Sequence, residues 1–338
     1  MKKIVIIFST MPLLILGQTV KNPGENYVFG QIFGGFRYSI KESYTPRAAF
    51  EFNQGIIGYY HQISDKVSGK IMYDVTRTTH LYEITDTAGN PLNYSYFEGS
   101  KYTAYLKMAE IKWDFSEYFS LRLGQLLSTQ YLTFQDPFWG LRYVDVTFQE
   151  KFRLGMPADF GAQLDFRYKG VVLNQLSVVN GEGPFRYQDD GGKFLVSDNI
   201  QISPIENLTL KIYGGYEQTA DTSAQSGDKY TLSGFAGYKT DKYRIGAEYI
   251  YLTGFSFIEE WDYSGISVFG MYSINEKIGV LGRYDFLQSD LNGDITNTDY
   301  FIAGLHFEPV PKFTMSANFR YYSEGALPFI YGNFGLKF

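Results

Sequence analysis

An all-β, transmembrane antiparallel β-barrel of about sixteen strands, carrying one inward-folded constriction loop, is the fold this sequence predicts. Three observations predict it. Apolar residues recur with a period of two along nearly the whole chain. Aromatic residues make up 18% of it, with 30 Tyr and 29 Phe beside 35 Gly in 338 residues. The N-terminus also reads as an export leader, and no later run is long and apolar enough for a membrane helix.

The leader is residues 1–17. Met1, Lys2 and Lys3 precede an apolar stretch broken only by Ser9, Thr10 and Pro12, and Gly17 supplies a small residue before the expected cleavage point. This is the order of a secretory signal peptide. A spanning helix needs about 20 apolar residues, so the stretch is too short to anchor the chain. Residues 18–338 then form a single barrel domain. Cysteine is absent, so an exported chain of this length holds itself together by sheet pairing rather than by disulfides. Without Lys2 and Lys3 the basic residues fall from 30 to 28 against 36 acidic ones, a net charge of −8, which argues against nucleic acid as a partner.

The alternation is clear in three segments. Phe313, Met315, Ala317, Phe319 and Tyr321 share one face, with Thr314, Ser316, Asn318 and Arg320 on the other. Tyr243, Ile245, Ala247, Tyr249 and Tyr251 oppose Arg244, Gly246 and Glu248, and Ile278, Val280, Gly282, Tyr284 and Phe286 oppose Arg283 and Asp285. One face wants hydrocarbon and the other water. Tyr243 and Tyr251 bracket an apolar face that covers about 20 Å of bilayer at a rise of about 3.3 Å per residue and a tilt of roughly 40°, as aromatic girdles do. A soluble sandwich also alternates, but it does not place Arg repeatedly in mid-strand.

Connections alternate between short and long, as in barrels with tight turns at one rim and loops at the other. Short ones fall at 64–66, 116–117, 169–170, 204–207, 240–242, 275–277 and 308–312; long ones at 79–99, 181–192, 219–228, 254–262, 289–298 and 323–328. Counting every alternating segment as a strand gives seventeen, whereas two termini on one side require an even number. Sixteen result if residues 131–158 form one long loop between strands at 120–130 and 159–168. Its seven aromatic residues, Tyr131, Phe134, Phe138, Trp139, Tyr143, Phe148 and Phe152, argue against disorder, and such a loop folds inward to narrow a pore. The alternative makes 143–155 a strand and the total fourteen or eighteen. The last strand, 329–338, is expected to pair with the first, near Tyr27, leaving no edge facing lipid.

The segment 102–113 fits poorly. Placing Tyr105, Ala109, Ile111 and Trp113 outward turns Lys107 toward lipid, at roughly 2–4 kcal/mol near the midplane. Either Lys107 lies near a boundary or in a subunit interface, or a bulge shifts the register.

Several stretches resemble the phosphate-selective porin O/P family of outer-membrane channels: 121–126 (LRLGQL), 152–166 (FRLGMPADFGAQLDF), 174–183 (NQLSVVNGEG), 282–290 (GRYDFLQSD) and 304–322. They span the chain from about residue 121 onward; the first hundred residues show no such likeness. The resemblance implies a homotrimeric, sixteen-stranded pore in the outer membrane of a Gram-negative bacterium, passing anions and binding no cofactor. Phe338 looks like the terminal aromatic of such barrels.

By alternation, Arg122, Arg167, Lys211, Arg244, Arg283 and Arg320 point into the lumen, and Arg142, Lys151 and Arg153 lie in the inward loop. Fixed cations beside a narrow water column favour anions. The competing role is to brace the wall through forks to Asp165, Glu248, Asp285, Asp145 and Glu150. The expected function is passive diffusion of small hydrophilic solutes, with a lean toward anions. The rival is a non-conducting barrel, an adhesin or structural protein plugged by its aromatic loop. The three histidines, His61, His80 and His306, suggest no nucleophile–base pair, so an enzyme is not expected. Residues 290–294 (DLNGD) lack the glycine and closing glutamate of a calcium loop and read as a flexible outer loop.

Overall fold

The computed structural model describes residues 22–77, 81–85, 91–97, 102–185, 188, 191–219 and 226–338. The leader at 1–17 and His80 lie outside the described residues, as do parts of the long connections at 79–99, 181–192 and 219–228.

The barrel strands are β1 (Asn26–Ser39), β2 (Ala48–Gln62), β3 (Val67–Arg77), β6 (Tyr102–Asp114), β7 (Phe119–Leu127), β8 (Ala158–Tyr168), β9 (Val172–Val179), β10 (Leu195–Ile205), β11 (Leu208–Glu217), β12 (Lys229–Lys239), β13 (Tyr243–Thr253), β14 (Trp261–Ser273), β15 (Ile278–Leu291), β16 (Asp294–Val310), β17 (Phe313–Tyr322) and β18 (Leu327–Lys337). They form one closed antiparallel sheet in which β18 pairs with β1, Gln31 opposite Lys337. Closure gives every edge a partner, the condition for a sheet surrounded by hydrocarbon. Sixteen strands are therefore correct. The alternative strand at 143–155 is instead irregular chain and a short helix.

The outward residues are apolar along each strand: Ile245 is 51% exposed and Tyr249 47%, while their inward neighbours Glu248 and Ile250 are at most 4% exposed. Aromatic pairs mark both rims. Tyr243 and Tyr272 meet at 5.2 Å beside a short turn, and Tyr216 and Tyr230 at 5.0 Å beside a long loop. Four of the short turns, at Ser64, Ser116, Thr240 and Asn275, share one device: the side chain accepts from the amides two and three residues on. Ser116 Oγ accepts from Tyr118 and Phe119, Thr240 Oγ1 from Lys242 and Tyr243, and Asn275 Oδ1 from Lys277 and Ile278. Each takes two donors that strand pairing leaves open at the reversal.

Three expectations need correction, and the alternatives left open at 102–113 are decided in favour of the bulge. The strand expected at 120–130 ends at Leu127, so the inward loop runs from 128 to 157. Residues expected as open loop at 79–99 contain a separate two-stranded hairpin, β4 (Leu81–Thr85) with β5 (Pro91–Phe97), outside the barrel. The outer loop expected at 289–298 is a tight reversal, because Asn292 (φ 53°) and Gly293 (φ 85°) take the left-handed conformations of a two-residue hairpin turn. β15 and β16 stay paired up to Leu291 and Asp294. Finally, Lys107 does not face lipid. The β3–β6 register shifts between Met72 and Tyr73, leaving Lys107 as the extra residue of a bulge, and Lys107 and Met108 both turn inward, 3% and 4% exposed. Tyr105 follows, turning its hydroxyl to Asp74 instead of outward.

Candidate pore constriction

Residues 128–157 cross the inside of the barrel as two short helices, α1 (Gln135–Trp139) and α2 (Phe148–Lys151), joined by irregular chain. Pro137 in α1 tolerates the lack of an amide there, and Gly140 ends it in the left-handed conformation (φ 64°), donating back to Asp136 O. One side of the loop is apolar and fully covered. Phe134, Phe138, Trp139, Leu141, Tyr143 and Val144 pack on Phe235 of β12, Phe269 of β14, Leu281 of β15 and Ile302 of β16. Phe138 stands edge-on to Phe235 at 5.1 Å, and Trp139 to Phe269 at 5.1 Å. The wall thins where the rings arrive: a Cβ built on Gly237 would lie 2.5 Å from the Phe138 ring, and one on Gly265 2.7 Å from Phe148.

The nine basic residues singled out from the sequence fall into three groups. Lys211, Arg244, Arg283 and Arg320 project from the wall onto loop carbonyls. Lys211 Nζ donates to Thr129 O and Gln130 O at 2.7 Å each and to Gln135 Oε1 at 2.6 Å. Arg244 donates to Trp139 O (2.8 Å), Arg283 to Val146 O (2.5 Å) and Arg320 to Val144 O (2.6 Å). Irregular chain leaves carbonyls unpaired, and four cations from four strands satisfy them. Arg283 also forks onto Asp285, with side chains 1% and 0% exposed.

The second group lies in the loop. Lys151 pairs with Asp145 at 2.9 Å and sits 3.9 Å over the Tyr300 ring. Arg142 holds Asp136 and Glu150 at 2.7 and 2.5 Å and reaches β2, donating to Gln54 Oε1 at 2.7 Å. Gln54 and Lys107 both bind the buried Asp74, so the loop is tied to the opposite wall as well. Arg153 is exposed, in the left-handed conformation after α2. Burial opposes charge on Asp145, but Lys151, Arg320 and Arg283 outweigh it and hold the carboxyl well below the usual carboxylate range.

Arg122 and Arg167 form the third group on the wall the loop leaves open. Both bind Asp165, at 2.9 and 2.6 Å, and Arg122 also holds Glu110 at 2.9 Å. This wall and the loop's underside enclose a cavity of ≈ 900 Å³ that reaches the short-turn rim at Asp65 and Lys239. Arg122, Arg142, Arg167 and Arg244 line it, joined by Lys70, Lys107, Lys112, Lys239 and Lys337, which sequence reasoning missed; the carboxylates in the lining are Asp65, Glu110, Asp114 and Asp136. Nine cations thus face four carboxylates, although the chain as a whole is acidic. Asp74, Asp165 and Glu150, just behind the lining, take up part of that excess. Lys211, Arg283 and Arg320 do not reach this cavity.

No family model matches the chain, and no curated protein matches it. Solved structures do. The Salmonella typhi OmpF complex with daunomycin aligns with a TM-score of 0.65 and 12% identity over 93% of this chain and 98% of that one. The anion-selective porin from Comamonas acidovorans aligns with a TM-score of 0.65 and 8% identity over 93% and 100%. OmpT, an outer membrane protein of Vibrio cholerae in its trimer form, aligns with a TM-score of 0.62 and 10% identity over 94% and 100%. The fold is the sixteen-stranded barrel of outer-membrane porins.

Proposed function

We propose that the chain is an outer-membrane porin of a Gram-negative bacterium, a passive diffusion channel for small hydrophilic solutes that prefers anions. One observation carries the reading: a loop folded into a closed sixteen-stranded barrel narrows it to a space where cations outnumber carboxylates nine to four. A fixed positive potential beside a confined water column raises local anion concentration and repels cations. The resemblance to the phosphate-selective O/P family and the fold shared with a porin named anion-selective support the same preference. Residues 1–17 fit removal during export, and the homotrimer is a proposal supported by the trimer form of the Vibrio cholerae protein.

Reconstitution in a planar bilayer under a salt gradient tests the reading. The expected result is discrete conductance with a reversal potential on the anion side. A reversal on the cation side sinks the preference, and silent bilayers sink the channel. The tie from Arg142 to Gln54 across the lumen favours a second reading, a barrel plugged by its loop, for which silence is the expected result. A monomeric mass in mild detergent would count against the trimer.

A further inference from the structure

The cavity beneath the loop is not uniformly polar. Ile56 of β2, Met72 of β3 and Met108 of β6 stand at inward positions of adjacent strands, 4–7% exposed, where a water-lined barrel wants polar side chains. Leu126 of β7 and Leu132 of the loop extend this wall along the same cavity. Two methionines give it a soft, polarizable surface suited to flat or branched apolar bodies.

Lys239 of β12, Arg244 of β13 and Lys337 of β18 line the same cavity; Lys239 and Arg244 are register partners, and Lys337 pairs with Gln31, which also pairs with Ile56, so this cationic corner borders the apolar wall. None of the three forms an ion pair among the described residues, in contrast to Lys107, Lys112, Arg122, Arg142 and Arg167 in the same lining. Two carboxylates lie near this corner: Asp136 of the loop, which is held by Arg142 at 2.7 Å, and Glu308 near the β16–β17 turn, which accepts from Lys312 N at 3.0 Å. Arg244 spends one nitrogen on Trp139 O, and its buried Nε has no partner. A buried donor without an acceptor is costly unless something enters to supply one.

An apolar wall bordering a cationic corner without ion pairs is the complement of a molecule with one anionic head and one apolar body. We propose that this cavity binds small amphipathic organic anions, a carboxylate head at Lys239, Arg244 and Lys337 and an aromatic or branched body on Ile56, Met72 and Met108. This rests on the anion-channel reading and narrows it: the solute class is organic carboxylates rather than inorganic anions. The volume of ≈ 900 Å³ suits such a guest, since pockets for small molecules span about 300–1,000 Å³.

Calorimetric titration of the detergent-solubilised full barrel with benzoate, acetate and inorganic phosphate reads this directly. Benzoate is expected to bind at least about tenfold more tightly than the other two. Lys239→Gln with Lys337→Gln, which leaves the Arg244 bond to the loop intact, should weaken benzoate and acetate alike by about tenfold or more. Met72→Asn with Met108→Asn should bring benzoate down to acetate and leave acetate unchanged, a pattern that misfolding would not produce. Equal affinity for benzoate and acetate, tightest binding of phosphate, absence of benzoate binding, or a double lysine variant that binds benzoate like the parent each overturns the proposal. Binding is read without current, so the two readings fail separately. Benzoate binding by a barrel that conducts nothing sinks only the channel, and an anion-selective conductor that does not prefer benzoate sinks only the organic-anion site.

Discussion

The two halves of the barrel interior use the same residue types for opposite ends. On the wall of β11 to β17, inward cations are turned onto the loop: Lys211, Arg244, Arg283 and Arg320 each donate to its main-chain carbonyls. On the wall of β1 to β9, Arg122 and Arg167 lie against carboxylates of their own sheet and face open volume. Alternation places all six in the lumen and does not tell them apart. What separates them is whether a loop covers them, a fact set by chain some tens of residues distant.

The sharpest way to break this division is to remove the cover. Deleting residues 138–152 takes away the aromatic face seated on Phe235 and Phe269 and frees the lumen it occupies. Single-channel conductance should rise several-fold, and a silent wild type should become conducting. An unchanged conductance step would mean that the loop does not set the narrowest point.

Point variants compare the walls directly. Arg283→Gln strips the fork from Asp285, whose side chain is fully covered, and the donor from Val146 O, so it should cost about 3–5 kcal/mol. Arg122→Gln leaves Asp165 still held by Arg167 and strips the ion pair only from Glu110, whose side chain is 9% exposed, so about 1–3 kcal/mol is expected. Urea unfolding from micelles ranks the two. Equal losses would erase the distinction between latch and brace. Next in size, Gly265→Ala should cost about 1–3 kcal/mol by overpacking, because its new methyl meets the Phe148 ring. Gly332→Ala, with nothing near its Cβ, is the control and should leave both stability and conductance unchanged.

How much of this is legible in sequence follows from how local each signal is. Strand alternation is set by each residue's own face, so the barrel and its closure could be read directly. The parity of termini then isolated the inward loop to within a few residues. Asn292–Gly293 carried a strong hairpin signal that outweighs the polar character of its surroundings, and reading that stretch as a flexible loop missed it. The bulge at Lys107 announced itself as a charge on the wrong face, but its position depends on pairing with β3, which a single strand does not encode. The seat of the loop left a trace too: Phe235, Phe269, Leu281 and Ile302 are apolar at inward positions, beside Gly237 and Gly265. Such inward apolar residues mark where something else is packed. The same rule, applied to Ile56, Met72 and Met108, finds the apolar wall of the cavity.

The smallest expected effect concerns acid, and it tests whether the latch is held by charge. Burial alone would favour the neutral form of Asp145, yet Lys151, Arg320 and Arg283 hold its carboxyl well below the usual range. A carboxylate depressed in the folded state contributes stability that is fully present above its unfolded value of about 4 and is lost only as the pH falls through the lower folded value. Between pH 7 and about 4.5 the loop should therefore stay seated, and the conductance step should not change once bulk conductivity is corrected. Arg320→Gln removes one of those cations, moves the folded value back toward the ordinary range and shifts loss of the latch to higher pH. A conductance that opens near pH 5 in the parent would mean that another carboxylate tie of the loop, such as Glu248 with Gln149 or Glu150 with Arg142, releases it before Asp145 does. A step that stays closed through pH 4.5 in the parent but opens there in Arg320→Gln is the outcome that assigns the grip to charge.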